Sequence, residues 1–493
     1  MSKAKASHNT NKDINENQIP KHGSLLILVF FGKPDSGSAS RARRLQTARA
    51  SHRRRGTHAR DRTSQPCRTR GDGETGRTTC RKTELMSTAS PFSHPLYVMT
   101  KPAGASCNLA CEYCYYLEKS QLYRHDARHV MSDEMLERFV KQYIESQTMQ
   151  QVLFCWHGGE TLMRPLSFYE KVVRLQRQYA QGRQIDNVIQ TNGTMIDDRW
   201  ARFFHDQGWL VGVSIDGPEE FHDEYRRNKT GRPSWRQVMR GINCLNKHQV
   251  EWNAMAVVND FNADYPHDFY QFFKDIGCRY LQFTPIVERT SPHADGRHLA
   301  SMADGAQAEL ADFSVTPEQW GHFLCSVFDR WVRDDVGDVF VQLFDTTLAN
   351  WMGMEGSMCA MARECGHAGV MEYNGDVYSC DHFVFPEYKL GNICDNTLTE
   401  MMYSERQRAF GQNKYRSLPQ QCKSCQYLFA CHGECPKNRF SKTAQGEPGL
   451  NYLCQGYYRF FDHVAPYMDF MKRELTAHRP PSNVMSAIKN GLL

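Results

Sequence analysis

From about residue 94 the chain alternates between short apolar runs and longer amphipathic stretches. The runs Leu96–Met99, Val152–Trp156, Asn187–Gln190, Leu210–Ile215, Asn253–Val258 and Tyr280–Phe283 have the length and composition of buried strands. Between them, apolar residues recur at helical spacing. The first such stretch opens at Ser132, an N-cap residue followed by Asp133 and Glu134, and sets Leu136, Phe139, Val140, Tyr143 and Ile144 on one face. Further helices are predicted over about 166–179, 197–207, 235–248 and 265–276. Six strand–helix units imply parallel strands joined by crossover helices, so the predicted class is α/β, either an open doubly wound sheet or a partial barrel.

After these units the pattern changes. Residues 301–355 read as a helical connector whose stripe of Trp320, Phe323, Leu324, Val327, Phe328 and Trp331 is expected to be core. Residues 356–460 are rich in turns and cysteine, and a region of this kind draws stability from bound metal as much as from apolar packing. A helical tail, 461–493, is expected to close the chain, its helix starting at the aromatic residues Tyr457, Tyr458, Phe460 and Phe461.

Charge separates the beginning of the chain from the rest. Residues 41–85 carry a net +10 and residues 1–40 a net +2, which leaves −7 on the other 408. The body is mildly acidic, which argues against a nucleic-acid partner. Residues 1–85 are rich in Arg, Ser, Thr and Gly and lack apolar periodicity, so they are expected to be a disordered leader outside the native protein, with Met86 as the true start. The apolar run Leu25–Phe31 is seven residues long, against roughly 20 for a bilayer span. No membrane association is predicted, and a cytoplasmic location keeps closely spaced thiols reduced.

The polar motifs follow strands, which in parallel sheets is where active sites lie. Cys107, Cys111 and Cys114 follow the first strand, and His157-Gly158-Gly159-Glu160 the second. Gln190-Thr191-Asn192-Gly193 ends the third, and Ser214-Ile215-Asp216-Gly217 the fourth. Glycines 158 and 159 allow a ligand close to the backbone, and Glu160 offers an acceptor for an ammonium group. Three thiols without a fourth ligand at a usual offset are a poor structural zinc site, His125 being the nearest further candidate. They suit a [4Fe–4S] cluster with one iron open to a small molecule. Eight more cysteines lie downstream: Cys359, Cys365 and Cys380, then Cys422, Cys425, Cys431, Cys435 and Cys454. Eight thiols are enough for two fully ligated clusters; by spacing alone, two zinc ribbons are the alternative. The cysteines at 67, 80, 155, 244, 278, 325 and 394 fit no ligand spacing and read as small apolar residues.

CNLACEYCYY after the first strand and HGGE after the second resemble the radical S-adenosylmethionine (SAM) superfamily, although Thr161 stands where that family usually has proline after GGE. The resemblance implies a partial (β/α)6 barrel over 94–300 whose open iron binds SAM and generates a 5′-deoxyadenosyl radical. It implies that Tyr113 supports the adenine, Gly159 the methionine amino group, Ser214 and Arg226 the ribose and carboxylate, and that Val287 lies near the adenine. The downstream block, with Gly375 between Cys365 and Cys380, is similar to the SPASM extension of peptide-modifying members. That likeness would assign Cys359, Cys365, Cys380 and Cys435 to one auxiliary cluster, and Cys422, Cys425, Cys431 and Cys454 to the other. Three [4Fe–4S] clusters and SAM are therefore the expected cofactors.

Fully thiolate-ligated clusters have no open iron, so their role is electron transfer, and the substrate must lose two electrons and a proton. Asp381, directly after Cys380, is placed to take that proton, with His382 as the second choice. The Cys-Asp pair and the runs LVGVSIDGP, YSCDHFVFPEYKLGNI and NYLCQGYY resemble the anaerobic sulfatase-maturating enzymes. That family oxidises a sulfatase cysteine or serine to Cα-formylglycine, with Asp381 as the implied base. The implied partners are a nascent or unfolded sulfatase and a flavodoxin- or ferredoxin-type electron donor. A thioether-forming maturase with the same clusters is the rival enzymatic reading, and a metal-bearing binding scaffold the non-catalytic one.

Overall fold

The structure, a computed structural model, describes residues 95–123, 129–291, 308–354 and 358–493. The expected leader and His125 lie outside these residues. Six parallel strands appear where the apolar runs predict them: β1 (Tyr97–Thr100), β2 (Gln151–Trp156), β3 (Gln184–Thr191), β4 (Leu210–Ser214), β5 (Trp252–Val258) and β6 (Tyr280–Pro285). They lie side by side in chain order. The largest boundary difference is at the start of β3, where the polar residues Gln184 and Asp186 pair with β2 but give no apolar signal.

The helices between them also form as predicted. Ser132 caps Asp133–Glu145 by accepting from the Met135 N–H, and the five expected apolar residues of that helix are all buried. Truncating one of the large ones, such as Phe139, to alanine would cost about 3–5 kcal/mol. The side chains meet Val152, Phe154 and Trp156, every second residue of β2, in one continuous core.

Beyond β6 the sheet continues in a way that periodicity did not reveal. Phe340–Val341 extends it parallel to β6. At the other edge Ala368–Met371 pairs parallel with β1, in register from Tyr97↔Ala368 to Thr100↔Met371. An antiparallel hairpin to Asp376–Tyr378, turning through Gly375 at φ +88°, and then Lys389–Asn392 complete ten strands among the described residues. The cysteine-rich segment therefore shares its sheet with the first strand.

The connector contains Pro317–Asp334, opened by a capping box between Thr316 and Gln319, and its predicted stripe is buried. That helix packs on Cys454–Thr476, which runs straight across the boundary expected at residue 460. The two backbones touch where glycine faces glycine: a Cβ on Gly456 would lie 2.4 Å from the Pro317 carbonyl oxygen. No helix among the described residues is long and apolar enough to cross a membrane.

Candidate active site

The cysteine loop after β1 is held from two sides. On one side, the loop after β2 presses against it: Gly159 N–H donates to the Gly104 carbonyl and Glu160 N–H to that of Ser106. Only glycine fits at 159, because a Cβ there would sit 2.2 Å from the Ser106 carbonyl oxygen. On the other side, Ala110 N–H donates to the Arg227 carbonyl and Glu112 N–H to that of Tyr225. The side chain of Asn192, at the end of β3, reaches both the Cys107 sulfur (3.6 Å) and Asn108 (2.8 Å).

Glu160 has a different surrounding from the one its motif suggests. It is fully buried, and its oxygens accept from Leu162 N–H, Thr191 Oγ1 and Asn192 N–H at 2.7–2.8 Å. It ties the ends of β2 and β3 together. Burial raises its pKa, against the pull of those donors.

Asp216, at the end of β4, is the hub for two residues expected at the SAM site. Its Oδ2 accepts from Arg226 Nε (2.8 Å) and from the Tyr113 hydroxyl, and its Oδ1 from Val257 N–H (2.8 Å). The Arg226 guanidinium stacks over the Tyr113 ring. Burial works against the Arg226 charge, but Asp216 overcomes it and holds the guanidinium firmly protonated. Behind Asp216, the buried His222 accepts from the Asp216 N–H on Nδ1, so its Nε2–H faces Ser234 Oγ, which in turn donates to the Arg226 carbonyl. Burial lowers His222 to about 3 and keeps it neutral. Ser214 accepts from Gln190 Nε2 (3.0 Å), and the buried Val287 gives its carbonyl to Lys437 Nζ. Asp216 carried a sequence signal, as a polar residue at a strand end; His222 and Ser234 carried none.

The eight downstream thiols fall into two neighbourhoods that ignore chain order. Cys435 is electrostatically coupled to Cys359, Cys365 and Cys380, while Cys431 and Cys454 are coupled to Cys422, and Cys454 to Cys425. Cys107, Cys111 and Cys114 form a third neighbourhood. The structure thus groups Cys435 away from its sequence neighbour Cys431, a grouping that does not fit ribbons built from Cys422/Cys425 and Cys431/Cys435. All eleven are free thiols. Burial pushes Cys107 up to about 11 and Cys111 and Cys431 to about 12, so in the bare chain they stay neutral. Thiols raised in this way become thiolates only if something strongly cationic sits among them, which is the donor chemistry of iron–sulfur clusters.

Asp381 arrives beside the cysteine loop because Ala368–Met371 is zipped to β1. Lys101, one residue past β1, is 2.6 Å from Asp381 Oδ1 and 2.9 Å from Glu372. The Tyr115 and Tyr116 hydroxyls each stand 2.5 Å from Asp381 Oδ2, and Lys119 donates to the Asp381 carbonyl. Burial would raise the Asp381 pKa, but Lys101 and then Lys119 hold it well below the usual carboxylate range. Burial lowers Lys119 itself to about 8. Tyr116 also meets His157 Nδ1 at 3.0 Å, and Gly158 N–H donates to the same nitrogen, which leaves the ring proton of neutral His157 on Nε2. His382, the second candidate base, lies against the Tyr115 ring at a tilt and is lowered to about 3, by burial first and by Lys437 next. It is the weaker candidate.

Comparison with known proteins places the chain among relatives. Residues 102–273 match the family model of the radical SAM superfamily, and residues 363–426 that of SPASM, an iron–sulfur cluster-binding domain. The chain is 69% identical to a serine-type anaerobic sulfatase-maturating enzyme of Bacteroides thetaiotaomicron, over 83% of this chain and 98% of the relative. It is 32% identical to a cysteine-type enzyme of Clostridium perfringens, over 76% of this chain and 97% of that one. The solved structure of native anSMEcpe with bound AdoMet and Cp18Cys peptide superposes with a TM-score of 0.67 at 31% identity, covering 77% of this chain and 99% of the other.

Proposed function

Because the chain belongs to the anaerobic sulfatase-maturating enzymes, radical SAM proteins with a SPASM extension, we propose that it converts a serine of an unfolded sulfatase to Cα-formylglycine. The serine preference follows the serine-type relative at 69% identity, against 32% for the cysteine-type one. Cys107, Cys111 and Cys114 would hold the SAM-binding cluster. Cys359, Cys365, Cys380 and Cys435 would hold one auxiliary cluster, and Cys422, Cys425, Cys431 and Cys454 the other. When bound, the three [4Fe–4S] clusters and SAM supply a 5′-deoxyadenosyl radical for the substrate Cβ hydrogen and an acceptor for the electron that follows. A reducing donor of flavodoxin or ferredoxin type and a cytoplasmic location complete this reading.

The chain's own residues do the rest. Gly159 brings a bare backbone to the methionine end of SAM. Tyr113 and Arg226, locked together by Asp216, form a preformed wall on the adenosine side, with Ser214 and Val287 beside it. Asp381 is the base for the serine hydroxyl proton. The observation that carries this is its setting: an ionised, half-buried carboxylate directly after Cys380, fixed by Lys101 and two tyrosines on the rim of the cysteine loop. Deprotonation there leaves the substrate's electron beside the sulfur of Cys380.

The test is anaerobic incubation of reduced, iron-reconstituted enzyme and SAM with sulfatase-motif peptides carrying serine or cysteine, read by mass spectrometry. The serine peptide is expected to lose two hydrogens. SAM cleavage without a mass change on either peptide would sink the proposal, and conversion of the cysteine peptide alone would overturn the serine preference.

A further inference from the structure

Lys414 is a buried cation without a carboxylate of its own. It sits in the helix Glu405–Arg416 with 1% of its surface exposed. Its ammonium donates to three backbone carbonyls, those of Cys359 (2.5 Å), Ala360 (2.8 Å) and Ala362 (2.5 Å), and makes no ion pair among the described residues. Burying an ammonium group against neutral dipoles alone is unfavourable unless negative charge lies close by.

The neighbouring ionisable groups leave positive charge in excess. Glu434 is buried and held by Asn438 and Asn451. Arg439 spreads its guanidinium over the carbonyls of Lys414, His432, Gly433 and Glu434. Two cations against one carboxylate leave a net positive charge beside the sulfurs of Cys359 and Cys365, while on the Cys380 side Lys101 and Lys119 are balanced by Asp381 and Glu372.

We infer that Lys414 is a positioning residue of a particular kind: its fixed charge raises the reduction potential of the cluster held by Cys359, Cys365, Cys380 and Cys435, and so makes that cluster the electron acceptor. The inference rests on the ligand assignment proposed above. In serine oxidation one electron leaves with the abstracted hydrogen atom, the hydroxyl proton goes to Asp381, and the second electron adds one negative charge at this four-sulfur group. A cation fixed in a low-dielectric setting favours that added charge. The turn that carries Cys359 is the same turn whose carbonyls grip the ammonium, so charge and ligand cannot drift apart.

The experiment uses the full chain with Cys107, Cys111 and Cys114 replaced by alanine, so that only the two auxiliary clusters contribute. Iron per chain and the reduction midpoints, from EPR-monitored titration, are compared for Lys414, Lys414→Gln and Lys414→Arg. The glutamine keeps a hydrogen-bonding amide and removes the charge; the arginine restores the charge. One of the two midpoints is expected to become more negative in the glutamine variant by at least a tenfold change in equilibrium constant, ~60 mV for one electron, and to recover in the arginine variant. The second midpoint stays put. A glutamine variant with about eight irons and unmoved midpoints overturns the inference. So does iron loss from either variant, which would make Lys414 a clamp on the turn. If the parent with Lys414 intact fails to hold about eight irons, it is the ligand assignment that falls.

Discussion

The strand–helix region around the SAM site and the cysteine-rich region that follows it are held together by different physics. In the first, order follows the chain: β1 to β6 are neighbours in space as in sequence, and alternating burial along β2 feeds a large core that also takes in Met371, Val377 and Met401 of the second. In the second, strands are two to four residues long, and thiols separated by more than fifty residues share a neighbourhood. Apolar packing defines the first region without any cofactor. The second brings together eight thiols, most of them partly exposed, and burial still raises those of Cys365, Cys431 and Cys454 enough that they need a cationic partner before they ionise. The difference teaches where each kind of damage should act: on radical generation in the first region, on the electron's exit in the second, and on the proton at the seam between them.

The largest expected effect breaks the first region. Cys114→Ala removes one of three thiols that have no substitute nearby, and both 5′-deoxyadenosine and formylglycine should vanish in single-turnover assays. Cys435→Ala should act differently. About four of twelve irons are expected to be lost, with 5′-deoxyadenosine still formed and formylglycine absent; loss of both products would mean that the two regions are not separable in function. At the seam, Asp381→Asn keeps all eleven thiols. It should still yield 5′-deoxyadenosine while formylglycine falls on the order of 10²-fold, the usual cost of losing a general base. Wild-type yield would move the proton to another acceptor.

Acid should weaken the first region through His222. Its folded pKa, about 3, lies below the ordinary imidazole value. Between that value and about 6.5 the unfolded chain binds a proton that the folded chain does not, so stability falls as pH drops through this window, by up to several kcal/mol. Thermal melts from pH 7 to 4 should show this slope, shared with the buried His157 and His382, and His222→Gln should reduce it. The smallest effect is expected from Tyr115→Phe. Deleting one donor to Asp381 should lower turnover on the order of threefold to tenfold and shift the acid limb of the pH–rate profile upward, since a donor to the charged form had favoured it. An unmoved limb would show that Tyr115 only packs there.

The sequence made these two regions legible to different degrees. The six strands and their helices are visible because each buries one face over enough residues to show a period; Leu136, Phe139, Val140, Tyr143 and Ile144 are sufficient for the first helix. Ala368–Met371 is not visible, because four residues set no period and its partner lies 271 positions earlier. The cysteines are legible from spacing, but their grouping is not read from the residues alone, since Cys435 lies four residues from Cys431 yet belongs with other thiols. Asp381 is legible as a neighbour of Cys380. The cradle of Lys101, Tyr115, Tyr116 and Lys119 is not, because it exists only once the Ala368–Met371 strand has docked.

That docking also has a temporal side. During synthesis β1 emerges early, and one of its edges has to wait for a strand made some 270 residues later. For that interval the nascent chain presents a row of unpaired backbone donors and acceptors, the kind of edge that recruits wrong partners. Such a long-range pairing forms slowly because its loop must close first. The last strand to join β1 thus ends a vulnerable period in the life of each new molecule. A chain truncated before residue 368 would be left in that period, and recombinant production should find it insoluble where the intact chain is not.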